Sequence, residues 1–259
     1  MGKVDFHFKP AVPVFDANVE LGRRHDQRNL KDTPEQLFEE MSRAGVDRAL
    51  VWHPNGATYD SMEGNLILQE LIHGDSRLVP QFFCNPSFDD FDVFTRSVKD
   101  AAVRSIRMVP QYQHYPFREW IAGPWLDWME REGLALWLPT TYTVFGNTTE
   151  LDASDVYDTI REHPHLNVVL SELDYRNVSW AVPLLKSLPN LHVEISRLTI
   201  ADPINRFLEF MDDSRILFGS RYPNSTMGIH IYALHHMGLP ESTVRAICAG
   251  NLERLLGMG

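Results

Sequence analysis

The sequence predicts an α/β fold, a single-domain (β/α)8 TIM barrel, and three observations carry that expectation. Eight short apolar or β-branched runs alternate from end to end with stretches bearing helix start and stop signals. The chain has 259 residues and 44% hydrophobic content, and alternating barrels commonly run to about 250 residues as one domain. No linker, repeat or low-complexity tract divides it, so one domain is expected over residues 1–259. Alternation implies parallel strands joined by right-handed crossovers, and continuously apolar strands suit a sheet covered on its outer face by helices.

The strands are expected at residues 12–17, 49–52, 78–83, 105–109, 134–138, 167–170, 191–195 and 215–218, each flanked by turn residues. The first helix is the best signposted. Thr33 and Gln36 form a capping box, Pro34 sits in the first turn where proline is tolerated, and Gly45 follows the last helical residue. Further helices are expected at 62–73, ended by Gly74, at 91–101, at 125–132, ended by Gly133, and at 154–162, 180–187, 203–211 and 242–249. Two longer connections, 110–124 and 141–153, follow strands and are rich in Tyr, Gln, Thr, Asn and Gly. Loops after strands form the catalytic face of such a barrel, which makes both segments candidate lids or pocket walls, with ordered surface loops as the alternative.

Composition excludes several function classes. The formal net charge is −11 and no basic tract occurs, which argues against a nucleic-acid partner. No apolar run approaches the ~20 residues that cross a bilayer, so no membrane partner is expected. Residues 1–9 lack the apolar core of a secretory signal, and Cys84 and Cys248 are the only cysteines. A soluble cytoplasmic protein with two buried, reduced thiols is the expectation. Neither G-x-S-x-G, G-x-G-x-x-G nor G-x-x-x-x-G-K-[ST] is present, which disfavours an activated serine and the glycine-loop cofactors. No cofactor is expected.

The most informative stretch is Phe218-Gly219-Ser220-Arg221-Tyr222-Pro223, followed by Gly250-Asn251-Leu252-Glu253-Arg254-Leu255-Leu256-Gly257. Together they resemble the last strand and closing helix of the amidohydrolase-related (amidohydrolase 2) metal-dependent hydrolases, TIM barrels whose eighth strand usually ends in F-G-S-D-[YW]-P. Arg221 stands at the aspartate. The resemblance extends more weakly over nearly the whole chain. Where the family opens with D-x-H-x-H, this chain has Asp16-Ala17-Asn18-Val19-Glu20; a histidine after the fifth strand is matched by Pro139, and one after the sixth by Glu172. Of the five ligand positions the resemblance implies, two are carboxylates, one an amide, and two cannot ligate, so no metal is expected, the alternative being a hard cation held by Glu20 and Glu172 with water. The charges suggest instead that Arg221 places its guanidinium in the vacated position, with Glu20 and Glu172 as partners. The family also includes a metal-independent lactonase that works with arginines and an aspartate-type base.

Other residues carry paired readings. His53 at the end of the second strand is a candidate proton carrier or the cap of a polar pocket. Arg107 lies in a segment similar to the family's G-[IV]-[KR]-x-x-P strand, where a basic residue can hold an anionic substrate; a buried ion pair is the alternative. Glu194 interrupts an apolar strand and needs a partner. His235-His236 and His163-Pro164-His165 read as surface or packing chemistry. With these residues, the resemblance implies a metal-independent hydrolase or lyase acting on a small carboxylate-bearing molecule. Glu20, Glu172 or His53 would be the acid–base group, and Asn18, Arg107 and Arg221 the substrate contacts. The alternative is an inactive barrel with a ligand-binding or structural role. The sequence leaves a homo-oligomer open.

Overall fold

The computed structural model describes residues 8–26 and 32–258. Strands follow in chain order as β1 (Phe15–Glu20), β2 (Arg48–Trp52), β3 (Leu78–Pro80), β4 (Phe82–Phe83), β5 (Ser105–Arg107), β6 (Ala135–Pro139), β7 (Thr141–Val144), β8 (Asn147–Glu150), β9 (Asn167–Ser171), β10 (Leu191–Glu194) and β11 (Ile216–Leu217). All except β7 and β8 pair in parallel, in the orders β1-β2-β3 and β4-β5-β6-β9-β10-β11. The third barrel strand joins these two ladders. Its first part, β3, pairs with β2, and after Gln81 its second part, β4, pairs with β5. Between β11 and β1, Ala17 N donates to Phe218 O at 3.0 Å, Glu20 N to Tyr222 O at 2.8 Å and Arg221 N to Asn18 O at 2.9 Å. These bonds complete the ring of the TIM barrel.

Alternation along the strands separates two cores. Leu136, Leu138, Val168, Leu170 and Val193 belong to the large apolar layer shared with the helices. Phe15, Ala17, Leu50, Ala135, Trp137, Val169 and Leu217 form a second cluster inside the barrel, closed below by Leu252, Leu255 and Leu256. Both sets are withdrawn from water, so both strand faces are apolar, as a helix-covered parallel sheet requires. Cys84 and Cys248 are buried and free. Among the described residues no helix is long and apolar enough to cross a membrane.

The first helix, Pro34–Ala44, has the capping box of Thr33 and Gln36 and stops at Gly45 with φ 76°. The largest shifts fall in the segments after β5 and β6. The helix expected at 125–132 runs over Glu119–Glu132 with Pro124 inside it. The proline leaves open the carbonyl of Trp120, a residue 76% exposed, where water can serve as the donor. The connection at 110–124 contains a further short helix, Pro110–Gln113. The connection at 141–153 contains the antiparallel β7–β8 hairpin, paired with no barrel strand among the described residues.

Candidate functional site

The upper end of β1 is re-aimed by a bulge. Its register against β2 shifts between Asp16 and Val19, so that after Phe15 and Ala17 in the lower interior, Asn18 and Glu20 also turn inward. Asp16 holds the bulge. Its Oδ1 accepts from Asn18 N at 3.0 Å and from Ser220 N at 2.9 Å, while Oδ2 has no partner among the described residues. Burial raises this carboxyl to about 7, against the hydrogen bonds from Ser220 and Asn18. Gly219 is required here, because a Cβ would collide with the Glu194 carboxylate.

Asn18 is the hub. Its Nδ2 donates to Glu172 Oε1 at 2.9 Å and to Glu194 Oε2 at 3.0 Å, while its Oδ1 accepts from Trp52 Nε1 at 3.1 Å and Arg107 Nη2 at 3.0 Å. Arg107, 1% exposed, also donates through Nε to Gln81 Oε1 at 2.6 Å and lies over the Trp52 ring at 4.8 Å. Burial lowers its guanidinium to about 10, resisted by Glu172 and Glu194, so it remains a cation at neutral pH. Glu194 also accepts from the backbone and hydroxyl of Ser196, and burial, then the nearby Glu172 charge, raises it to about 7.

Arg221 reaches Glu172, with Nε 2.5 Å from Oε2. Both residues have positive φ, 61° and 58°, a conformation uncommon for residues with a Cβ and concentrated where surroundings over-determine a site. Arg197 sits behind the pair, 3.9 Å from Glu172 Oε2 and 3.2 Å from Asp174 Oδ2. Glu20 has a different partner from the expected one: its ion pair is with Arg24, at 3.5 Å. Burial lifts Glu20 to about 7, with Arg24 and then Arg221 opposing. Arg24 in turn grips Asp26 through two bonds of 2.9 Å and donates to Thr143 O on the hairpin at 2.6 Å.

Five of the six sequence-predicted site residues therefore meet at the strand ends: Asn18, Glu20, Arg107, Glu172 and Arg221 line one cavity or bond into it. His53 does not join them. Its Nδ1 accepts from Asn55 N at 3.2 Å, its ring packs on Gly22, and it lines a separate outer groove. Burial lowers it to about 4, so it is neutral at pH 7. Pro139 ends β6, where its carbonyl accepts from Gln111 Nε2 at 2.7 Å. His163 is buried with Nε2 3.0 Å from Glu119, and His235 and His236 pack against Phe8.

Sequence reasoning passed over Arg24, Arg197 and Asp174. Arg24 lies four residues beyond Glu20, and Arg197 three beyond Glu194, in loops without a motif. A search for cations just past strand-end acids would have found both. The donor set does not fit a divalent cation. At the three central positions an amide nitrogen and two guanidiniums point at the available oxygens, and no cluster of three His, Cys, Asp or Glu among the described residues is arranged for a metal.

Comparison with known proteins bears on this geometry. The family model described as amidohydrolase matches residues 4–258. The chain belongs to the amidohydrolase family. A comparison with curated proteins finds no match. Solved structures are similar over nearly the full length. A 5-carboxyvanillate decarboxylase from Sphingomonas paucimobilis is 14% identical, with 96% of this chain and 100% of that chain covered and a TM-score of 0.73. A 2,6-dihydroxybenzoate decarboxylase from Rhizobium is 12% identical, with 96% and 99% covered and a TM-score of 0.74. A dihydroxybenzoic acid decarboxylase from Polaromonas sp. JS666, with bound manganese and the inhibitor 2-nitroresorcinol, is 12% identical, with 96% and 98% covered and a TM-score of 0.72. At these identities the likeness speaks for the fold.

Proposed function

We propose that this chain is a metal-independent lyase or hydrolase acting on a small carboxylate-bearing molecule, with the lyase reading favoured. The observation that carries it is Arg221. Its Nε is held by Glu172, while its two terminal nitrogens make no hydrogen bond among the described residues and the side chain lines the cavity beside Glu20. A guanidinium fixed at one edge and open at the other is a preorganised fork for a carboxylate. The structurally similar decarboxylases act on aryl carboxylates, and the rings of Trp52 and Tyr142 line the same cavity.

In the lyase reading, Arg221 holds the substrate carboxylate and the bond from ring carbon to carboxyl carbon breaks, leaving its electron pair on the ring as carbon dioxide departs. Glu20, protonated up to about pH 7, delivers its proton to that carbon and becomes a carboxylate facing Arg24. In the hydrolase reading the Glu20 carboxylate takes the proton of an attacking water and Arg221 receives the developing oxyanion. Glu172 positions Arg221 in both. The inert reading has support of its own: the cavity is only about 20 Å³, room for about one water.

Turnover of a panel of hydroxybenzoates and lactones by the full-length protein, before and after chelation, separates the readings. Carbon dioxide release that survives chelation and falls about 100-fold or more in Arg221→Ala and Glu20→Gln supports the lyase. Activity abolished by chelation overturns metal independence. Neither turnover nor saturable binding across the panel establishes the inert barrel.

A further inference from the structure

The cavity is small because the β7–β8 hairpin lies over it. This hairpin is built unlike the rest of the barrel. It leaves β6 at Thr140, whose N–H donates to Ser171 O, and returns at Leu151, whose N–H donates to Thr140 O. Between those two points it pairs only with itself among the described residues. Its inner strand is mostly buried, with Tyr142 and Val144 against Trp52, Phe83 and Val109, while its outer strand faces solvent. The tip turns through Phe145 and Gly146, φ 50° and 78°, the tight turn that suits a two-residue hairpin.

The polar contacts that hold the hairpin down come from loops rather than from a strand ladder, among them Arg176 Nη1, 3.6 Å from Glu150 Oε1. Arg24 Nη2 donates to Thr143 O at 2.6 Å, Phe145 N donates to Asp26 Oδ2 at 3.1 Å, and Arg197 Nη1 donates to Thr141 Oγ1 at 2.7 Å. Arg24 and Asp26 are themselves clamped together. The hairpin also brings in one polar group. The Tyr142 hydroxyl is buried, on a residue only 6% exposed that lines the cavity, and it has no hydrogen-bond partner among the described residues. Such a group is costly unless something supplies an acceptor. Burial pushes the phenol above its ordinary range, so it remains a donor.

We propose that the hairpin is a flap that opens to admit the ligand and closes over it, carrying the Tyr142 hydroxyl onto a ligand oxygen, with Arg24 and Asp26 as its latch. The proposal rests on the reading of this cavity as the site. Opening of a segment that shares no strand ladder with the barrel leaves the barrel's backbone pairing intact, and residues that close over a site are drawn from its less stable parts.

Hydrogen exchange on the full-length protein tests the latch without any ligand. Asp26→Ala, which removes the acceptor of Phe145 N and the partner of Arg24, is expected to speed exchange at residues 141–151 about tenfold, with the barrel strands unchanged. Unchanged exchange there, or acceleration spread evenly over the barrel, overturns the flap. Tyr142→Phe tests the hydroxyl. Its melting temperature is expected to match the wild type, and its affinity for 2,6-dihydroxybenzoate to fall about fivefold. A melting temperature lowered by several degrees makes the hydroxyl structural and overturns its ligand role, as does unchanged affinity. A wild type that binds no carboxylate of the panel defeats the functional reading and the Tyr142 role with it; the flap is then decided by exchange alone.

Discussion

The lower and upper halves of the barrel interior are equally dry and oppositely built. Below, Phe15, Ala17, Leu50, Ala135, Trp137, Val169 and Leu217 pack as an apolar plug. Above it, at or near the ends of β1, β5, β9 and β10, Asn18, Arg107, Glu172 and Glu194 are also 0–7% exposed, yet bond only to one another and to close neighbours. The plug is stabilised by removal of apolar surface from water, which depends on volume more than on partners. The upper layer is stabilised by reciprocal donors and acceptors, where loss of one member strands the rest. Burial alone therefore does not mark the site; the polarity of what is buried does.

The largest test of that contrast is Arg107→Met. It removes the cation shared by Gln81 and Asn18 and leaves Glu172 and Glu194 less compensated, a loss of about 3–5 kcal/mol. The denaturation midpoint should fall by about 10 °C, and a neutral result would break the contrast. Asn18→Leu, close in volume, should cost about 3 kcal/mol, because Trp52 Nε1 and Arg107 Nη2 lose their acceptor and two carboxylates lose a donor. Leu50→Met, its counterpart in the plug, should cost less than about 1.5 kcal/mol, measured like Asn18→Leu by chemical denaturation.

Between these in size lies a pH effect that belongs to the upper layer. Asp16, Glu20 and Glu194 are each raised to about 7. A raised carboxyl binds its proton more tightly folded than unfolded, so its contribution is complete below its ordinary value and is lost as pH climbs to about 7. His53 and His192, both lowered to about 4 chiefly by burial, act in the opposite sense, with stability rising from about pH 4 to 6.5. Above pH 6.5 the histidine contribution is complete and no longer changes with pH, so the carboxyls alone set the slope. The midpoint should thus decline from pH 6.5 to 8, and Glu194→Gln should flatten that decline. An unaltered slope in Glu194→Gln would remove Glu194 from the account.

Most of the lower layer was legible in the sequence, because apolar runs of strand length announce themselves. All eight barrel strands were placed, although the first pairs three residues later than its apolar run begins and the third is broken at Gln81. The candidate site was legible only where a motif marked it, as with Arg221 and Glu172. What the motif could not supply was direction. The bulge between Asp16 and Val19 sets where Asn18 and Glu20 point, and bulges leave no composition signature. Glu20 meets Arg24 rather than Arg221 because of a loop path after β1. His53 was misplaced for the same reason: one residue beyond β2 the chain turns, and the ring packs on Gly22 outside the cluster. The 141–153 connection read as a loop because Thr and Asn, polar on the outer strand of the hairpin, do not form an apolar run.

The proposed metal independence rests on guanidiniums and an amide holding the strand-end carboxylates. Elemental analysis of the purified full-length protein, with Arg221→Asp measured beside it, tests this most directly. Far less than one equivalent of any transition metal is expected in the wild type, with no loss of its thermal stability on chelation. One tightly held equivalent, removed by chelation with a fall in the melting temperature, would contradict it.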